Sequence, residues 1–192
     1  MSIRIGKPTP HIPVSAYVRG DPEARRLALA DYQGRWVVLA FYPRDFTDAC
    51  RAELGRLAEL EPELAREQAA LLAASTDSVH SHRAWLEGEP LLAAVRYPLL
   101  ADTSHKLARA FGVLTEGGAA LRATFILDRA GLVRHALVTD PGVPRNPEET
   151  LRALEALRTG ERAGDLTPSG PATGEYAFAP PGSPPWGAAG SR

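Results

Sequence analysis

A short apolar run at residues 36–42, Trp-Val-Val-Leu-Ala-Phe-Tyr, lies between Arg35 and Pro43. Its length and its β-branched and aromatic content predict a strand that is buried on both faces. Residues Ala69–Ser75 have the same character and predict a second buried strand. A sheet covered on both faces needs helices on either side, so the chain is expected to adopt an α/β fold.

Helical composition follows the first strand. Residues 52–70 are rich in Ala, Leu, Glu and Arg, which favour helix, and we expect Pro62 to divide them into two helical pieces because proline disrupts helix interiors. Capping signals predict three more helices, at residues 78–87, 104–111 and 146–158. Ser78 is the candidate N-cap of the first. Asn146 can cap the last, which should end before Gly160.

The end of the chain changes in character. Residues 123–127 and 132–138 predict two strands joined by the turn Asp-Arg-Ala-Gly, and therefore a hairpin. The whole pattern predicts a mixed central β-sheet flanked by helices. Beyond it the composition shifts to Pro, Gly, Ala and Ser, which cannot bury enough surface to offset chain entropy. We expect a folded domain at residues 1–159 and an extended or disordered, Pro/Gly-rich C-terminal tail at residues 160–192.

Bulk properties exclude several functional classes. The formal net charge of −1 favours neither nucleic acid nor an anionic membrane as a partner. No run of about 18 apolar residues predicts a transmembrane helix, and residues 1–10 lack the apolar core of a secretory signal. The sequence has one cysteine, Cys50, so no internal disulfide is possible. We therefore expect a cytoplasmic protein, in a compartment where thiols stay reduced.

Cys50 lies just after the first buried strand, at the predicted start of a helix. A free cysteine thiol has a pKa near 8.5 and is mostly protonated at neutral pH. A helix N-terminus offers N–H donors and a partial positive charge that favour the reactive thiolate. The helix dipole contributes only about 0.3–1 kcal/mol, so a nearby cation is also needed, and Arg122 is the candidate. Glu53, one turn further on, either orients an arginine or is a helix-surface carboxylate.

Pro43, Thr47 and Cys50 fit the Pro-x-x-x-Thr-x-x-Cys active-site motif of peroxiredoxins. The surrounding segment resembles the alkyl hydroperoxide reductase and thiol-specific antioxidant branch of that family. Further segments are similar to the family in the same order, at residues 75–85, 97–102, 105–109 and 122–128. The likeness covers roughly residues 3–176 and implies a thioredoxin-like fold.

The resemblance also implies a reaction and a role for each site residue. Cys50 would attack the terminal oxygen of hydrogen peroxide or an organic hydroperoxide and become a sulfenic acid. Thr47 would hydrogen-bond the thiolate and the peroxide through its hydroxyl. Arg122 would favour the anion and help to hold the peroxide, and Pro43 would shield the pocket from water. Fixed donors of this kind stabilise the charge that develops in the transition state. No metal, haem or flavin cofactor is implied.

Two positions depart from the family pattern. Arg51 follows Cys50 where the family usually has proline, and its charge either adds positive potential or points to solvent. The resolving cysteine of a C-terminal Val-Cys-Pro is replaced by Thr167. We therefore hypothesise a one-cysteine mechanism, in which an external thiol, thioredoxin-like or of low molecular weight, reduces the sulfenate. The resemblance further implies a homodimer, or a larger ring.

Other functions remain open at this level. A redox sensor on the same scaffold would react once and stop, and a chaperone-like assembly would work without Cys50. A cysteine hydrolase would need a histidine base near the nucleophile, for which His82 could be proposed.

Overall fold

The computed structural model describes residues 5–140 and 142–163 and contains a seven-stranded sheet. The strands are β1 Val14–Tyr17, β2 Arg25–Leu27, β3 Trp36–Phe41, β4 Ala69–Ser75, β5 Leu99–Ala101, β6 Arg122–Leu127 and β7 Val133–Thr139. Their order in the sheet is β2-β1-β5-β4-β3-β6-β7. Strand β4 runs parallel to β3 and β5, and every other pair is antiparallel. The predicted mixed sheet is therefore confirmed.

Four helices accompany the sheet: α1 Asp48–Arg66, α2 Val79–Gly88, α3 Lys106–Ala110 and α4 Pro147–Ala163. The predicted N-caps are confirmed. Ser78 Oγ accepts a hydrogen bond from Ser81 N, and Asn146 Oδ1 accepts from the N–H groups of Glu148 and Glu149. The predicted hairpin is also confirmed, as β6 and β7. Strands β1 and β2 were not predicted, because they are only four and three residues long.

All six residues of β3 are buried, as the apolar run predicted. Side chains alternate across a strand, so Val37, Leu39 and Phe41 lie on one face of the sheet. There Phe41 packs against Phe111, next to α3, and Phe125 of β6, with ring centroids 5.3 and 5.9 Å apart. Burying such a side chain contributes about 1.5–3 kcal/mol. This packing fixes the end of β3, from which the loop to Cys50 departs.

The predicted break at Pro62 is wrong, because α1 is one continuous helix with Pro62 inside it. Proline removes one backbone hydrogen bond and strains the preceding turn. Leu57 and Leu64 are each 1% exposed and anchor the helix on both sides of the proline. Tertiary packing therefore outweighs the local preference.

The predicted helix end before Gly160 is also wrong, since α4 continues to Ala163. A helical glycine costs about 1 kcal/mol relative to alanine, which is not enough to stop the helix. The chain divides into two units, with the boundary between Glu155 and Ala156. Residues 164–192 lie outside the described residues, so the extended tail stays a prediction. No helix of the described part is long and apolar enough to cross a membrane.

Replacing Pro62 tests whether the proline strains α1. Pro62→Ala restores the missing N–H and removes the ring, so the free energy of unfolding should rise by about 1–2 kcal/mol. Urea unfolding followed by circular dichroism measures the change. The neighbouring exposed substitution Glu63→Ala should stay within about 0.5 kcal/mol of wild type. A less stable Pro62→Ala protein would show that the proline fits its helix without strain.

Candidate active site

The loop after β3 leads directly into α1 and determines where Cys50 lies. Thr47 is the N-cap residue of α1, and its carbonyl oxygen accepts a hydrogen bond from Arg51 N at 2.9 Å. Cys50 is the third residue of this helix, within the first turn, where N–H groups lack intrahelical acceptors. Its side chain is only 1% exposed. The structure therefore has the predicted order of buried strand, loop and cysteine at a helix N-terminus.

Arg122 approaches the sulfur from β6. In the antiparallel register of β3 and β6, Phe41 faces Ala123, so Arg122 lies just past the end of β3. Its Nη1 atom is 3.9 Å from Cys50 Sγ, and its side chain is buried. The structure thus brings together a cysteine and an arginine that are 72 residues apart in sequence.

Glu53 is a buried carboxylate one turn beyond Cys50. Its Oε2 atom accepts a hydrogen bond from Arg122 Nη1, and its Oε1 atom accepts one from Arg145 N at 2.7 Å. Of the two possibilities open from sequence, the structure shows the first: Glu53 orients an arginine. Because Glu53 and Cys50 share one helix face, Glu53 holds the Arg122 guanidinium beside the sulfur.

Arg145 is a second buried arginine that sequence analysis missed. Its Nη2 atom donates to the carbonyl oxygens of Phe41 and Ala123, which are partners across β3 and β6. Burial lowers the pKa of Arg145 to about 10; Glu53 opposes this shift and Arg122 adds to it. The side chain therefore keeps its charge at neutral pH. In the sequence, the one feature that distinguishes Arg145 is its place between Pro144 and Asn146, just before a predicted helix. Many solvent-exposed arginines have the same setting, so it did not predict a buried residue.

Charged side chains are buried near Cys50. Arg122 and Arg145 each carry a positive charge, and Glu53 carries one negative charge. A negative charge on the Cys50 sulfur would meet the Arg122 guanidinium at 3.9 Å, in surroundings where charges interact more strongly than in water.

Pro43 and Thr47 lie in the loop before Cys50. Pro43 is half-buried, and Thr47 is exposed. The Thr47 hydroxyl donates to the carbonyl oxygen of Arg44 at 3.2 Å. Among the described residues, no hydrogen bond joins the Thr47 hydroxyl to Cys50.

A largely buried polar cluster of Tyr42, Asp45, Asp77 and His82 also holds this loop. Tyr42 Oη donates to Asp45 Oδ1, and His82 Nδ1 lies 2.8 Å from Asp45 Oδ2. Asp45 N donates in turn to Asp77 Oδ2 at 3.0 Å. Burial, followed by the neighbouring Asp45, raises the pKa of Tyr42, so its hydroxyl remains a donor. The loop is therefore held by its side chains as well as by its ends.

This cluster also bears on the hydrolase and metal alternatives. His82 is fully buried and is engaged by Asp45, and no hydrogen bond in the described part of the chain links it to Cys50. It is therefore not placed as the base of a cysteine hydrolase. Among residues 5–140 and 142–163, no group of three His, Cys, Asp or Glu side chains is arranged to hold a metal ion.

The sequence matches the model of the AhpC/TSA family over residues 5–136. It is 40% identical over 173 residues to peroxiredoxin tpx1 of Schizosaccharomyces pombe, covering 88% of this chain and 89% of the relative. It is 38% identical over 184 residues to a thioredoxin peroxidase of Echinococcus granulosus, covering 94% of each. The family match includes Pro43, Thr47, Cys50, Glu53 and Arg122, whereas Arg145 lies beyond it.

Solved structures agree with this assignment. The crystal structure of Enterococcus faecalis AhpC superimposes with a TM-score of 0.81 at 36% identity, over 86% of this chain and 98% of that one. Reduced 2-Cys peroxiredoxin of Plasmodium vivax gives 0.83 at 30% identity, over 90% of this chain and 91% of that one. The predicted thioredoxin-like fold is confirmed. The chain therefore belongs to the AhpC/TSA family and is a peroxiredoxin, an oxidoreductase that reduces peroxides at the expense of thiols.

Proposed function

We propose that Cys50 is the peroxide-reactive residue and that an external thiol regenerates it, without a second cysteine of this chain. The observation that carries the proposal is the buried Cys50 sulfur 3.9 Å from Arg122 Nη1, in the first turn of α1. Relatives such as the Plasmodium vivax protein are named 2-Cys peroxiredoxins, whereas this sequence has one cysteine. An external reductant is therefore needed to close the cycle.

The first step is a displacement at oxygen. The Cys50 thiolate donates an electron pair to the terminal oxygen of the peroxide and forms an S–O bond. The O–O bond breaks, and its electrons leave with the second oxygen as an alkoxide or hydroxide, which takes up a proton. Cys50 is left as a sulfenic acid, the first and reversible stage of thiol oxidation. Sulfur is oxidised and the peroxide is reduced by two electrons.

Each neighbouring residue has a physical task in this step. Negative charge moves from the sulfur toward the leaving oxygen, so the Arg122 guanidinium stabilises both ends of the reaction. The Thr47 hydroxyl can donate to the oxygen that Cys50 attacks once it gives up its bond to Arg44. Pro43, half-buried in the loop before Cys50, would shield the pocket from water, which would strengthen these electrostatic interactions.

The second half of the reaction returns the sulfur to the thiolate. One thiol attacks the sulfenic acid and gives a mixed disulfide with Cys50 and water. A second thiol attacks the outer sulfur of that mixed disulfide, forms a disulfide with the first thiol and releases Cys50 as the thiolate. A thioredoxin-like protein or a low-molecular-weight thiol can serve, and the name of the Echinococcus granulosus relative couples that protein to thioredoxin. We place the reaction in the cytoplasm, where such thiols are kept reduced.

We also propose that two copies of the chain pair through strand β7. It is the last strand of the sheet in the described residues. Leu137 and Val138 on this strand are 37% and 47% exposed. An uncovered apolar edge strand is a template for pairing with another chain, so a second copy would extend the sheet and cover both side chains.

The role of Cys50 is tested with Cys50→Ser. Wild type should consume peroxide steadily with excess dithiothreitol, and the serine variant should fall to the uncatalysed rate. Stopped-flow kinetics measures consumption, and intact mass should show one added oxygen on wild type after one equivalent of peroxide. Unchanged consumption by Cys50→Ser would refute the assignment. A single turnover that stops despite fresh thiol would instead favour the redox sensor.

The role of Arg122 is tested by removing its charge. Arg122→Met should lower the second-order rate constant with hydrogen peroxide by about 10²–10³-fold, the usual effect of losing one such donor. Because the variant leaves Glu53 buried without its cation, it can also lose stability. Arg122→Lys keeps a charge and should lie between Arg122→Met and wild type. Rates within threefold of wild type for both variants, at matched far-ultraviolet circular dichroism, would contradict the proposed role.

The interface is tested with Val138→Glu. A carboxylate at this position would lose its hydration in the pairing of two β7 strands, so the variant should be monomeric where wild type is dimeric. Sedimentation velocity measures the change. Ala65→Glu, at an exposed position of α1, is the matched control and should leave the dimer intact. A dimer retained by Val138→Glu would exclude this edge.

A further inference from the structure

Arg51 links the first turn of α1 to the segment after α2. Its Nη2 atom lies 2.7 Å from Asp48 Oδ1, and its Nη1 atom lies 3.1 Å from Glu89 Oε2. The Arg51 side chain is 33% exposed and that of Glu89 is 20% exposed, so the pair is partly shielded from water. Arg51 is therefore held by two carboxylates and does not point freely to solvent.

Glu89 is itself fixed in place. Its Oε1 atom accepts a hydrogen bond from Leu91 N at 3.1 Å, which caps the short 3₁₀ helix Pro90–Leu92. The Leu91 N–H, and then Arg51, hold the pKa of the Glu89 carboxyl below its ordinary value, so the group is ionised at neutral pH. Leu92 and Val95 are fully buried and anchor this segment in the core. Arg51 therefore binds to a rigid partner.

The closed turn hides the sulfur. Cys50 is 1% exposed, and an S–S bond of about 2.05 Å cannot form unless the sulfur of the incoming thiol reaches it. A small peroxide needs less room than a thiol and its carbon chain. Regeneration therefore requires the first turn of α1 to move away, and the ion pair of Arg51 with Glu89 joins that turn to the segment after α2.

We propose that the Arg51–Glu89 ion pair is a clamp that keeps the first turn of α1 closed over Cys50 and so limits how fast an external thiol reaches the oxidised sulfur. The inference rests on the proposed function. Arg51 and Glu89 act through the position of the turn and are positioning residues. The chemical step is unchanged: the thiol forms an S–S bond with Cys50, the S–O bond breaks, and hydroxide leaves to become water.

If the ion pair acts as a clamp, removing either charge should let thiols and alkylating reagents reach Cys50 faster. In Glu89→Gln the amide oxygen can still accept from Leu91 N–H, so only the charge is lost. The rate of alkylation of reduced Cys50 by iodoacetamide, at a pH where the thiol is fully ionised, should rise about two- to fivefold, as expected for a partly exposed ion pair. The rate at which dithiothreitol reduces the sulfenic acid should rise by the same factor.

Three variants distinguish a local clamp from a general loss of protein stability. Arg51→Gln should raise both rates as Glu89→Gln does, and the double variant should raise them no further, because the two residues act as one pair. Asp21→Asn is the matched control. It breaks the ion pair with Arg25, which belongs to the edge strand β2, and should change neither rate.

Several results would overturn the clamp: wild-type rates in Glu89→Gln, a rise in only one of the two rates, or additive effects in the double variant. Alkylation uses no peroxide, so it reports on the clamp even if Cys50→Ser disproves the proposed function. Thermal unfolding of each variant, if it matches wild type, shows that the faster reaction arises at the turn and not from loss of the fold.

Discussion

The bond between Glu53 and Arg122 joins the parts of the chain on which the site depends. Glu53 belongs to α1, Arg122 begins β6, and Arg145 precedes α4, so one carboxylate connects three elements. Both arginines are buried, so Glu53 contacts two cationic residues in the interior of the protein. Removing one partner of a buried ion pair is costly, so the bond to Glu53 holds the Arg122 guanidinium in place. Its position, 3.9 Å from the Cys50 sulfur, is the physical basis of the proposed chemistry.

The sequence predicts those parts of the site that are local. Pro43, Thr47 and Cys50 lie within eight residues and follow a strand whose apolar run is unmistakable. Arg122 was the candidate for the cation that Cys50 needs, but its place beside the sulfur is not a local feature of the sequence. Arg145 was not found, because it meets Glu53 across 92 residues of sequence. Contacts of that range are created by the register of β3 and β6, which no local pattern encodes. For the same reason sequence alone left Glu53 between two interpretations.

The errors in the fold have a common origin. Pro62 and Gly160 are poor helix residues, and local propensity therefore predicted a break and an end. Both residues lie inside continuous helices. In α1, buried leucines on either side of Pro62 supply more free energy than the proline costs. Strands β1 and β2 were missed because strands of four and three residues gain their stability from pairing in the sheet and not from their own composition.

Two demands meet at the first turn of α1. The reaction with peroxide gains from a closed pocket, because burial strengthens the electrostatic effect of Arg122 on the sulfur. Reduction by an external thiol gains from an open one, since Cys50 is almost inaccessible when the turn is formed. In the proposed cycle, which uses no second cysteine of this chain, opening would have to admit an external thiol. The strength with which that turn is held therefore sets the balance between the two half-reactions, and side chains such as Arg51, outside the charge network, are placed to adjust it.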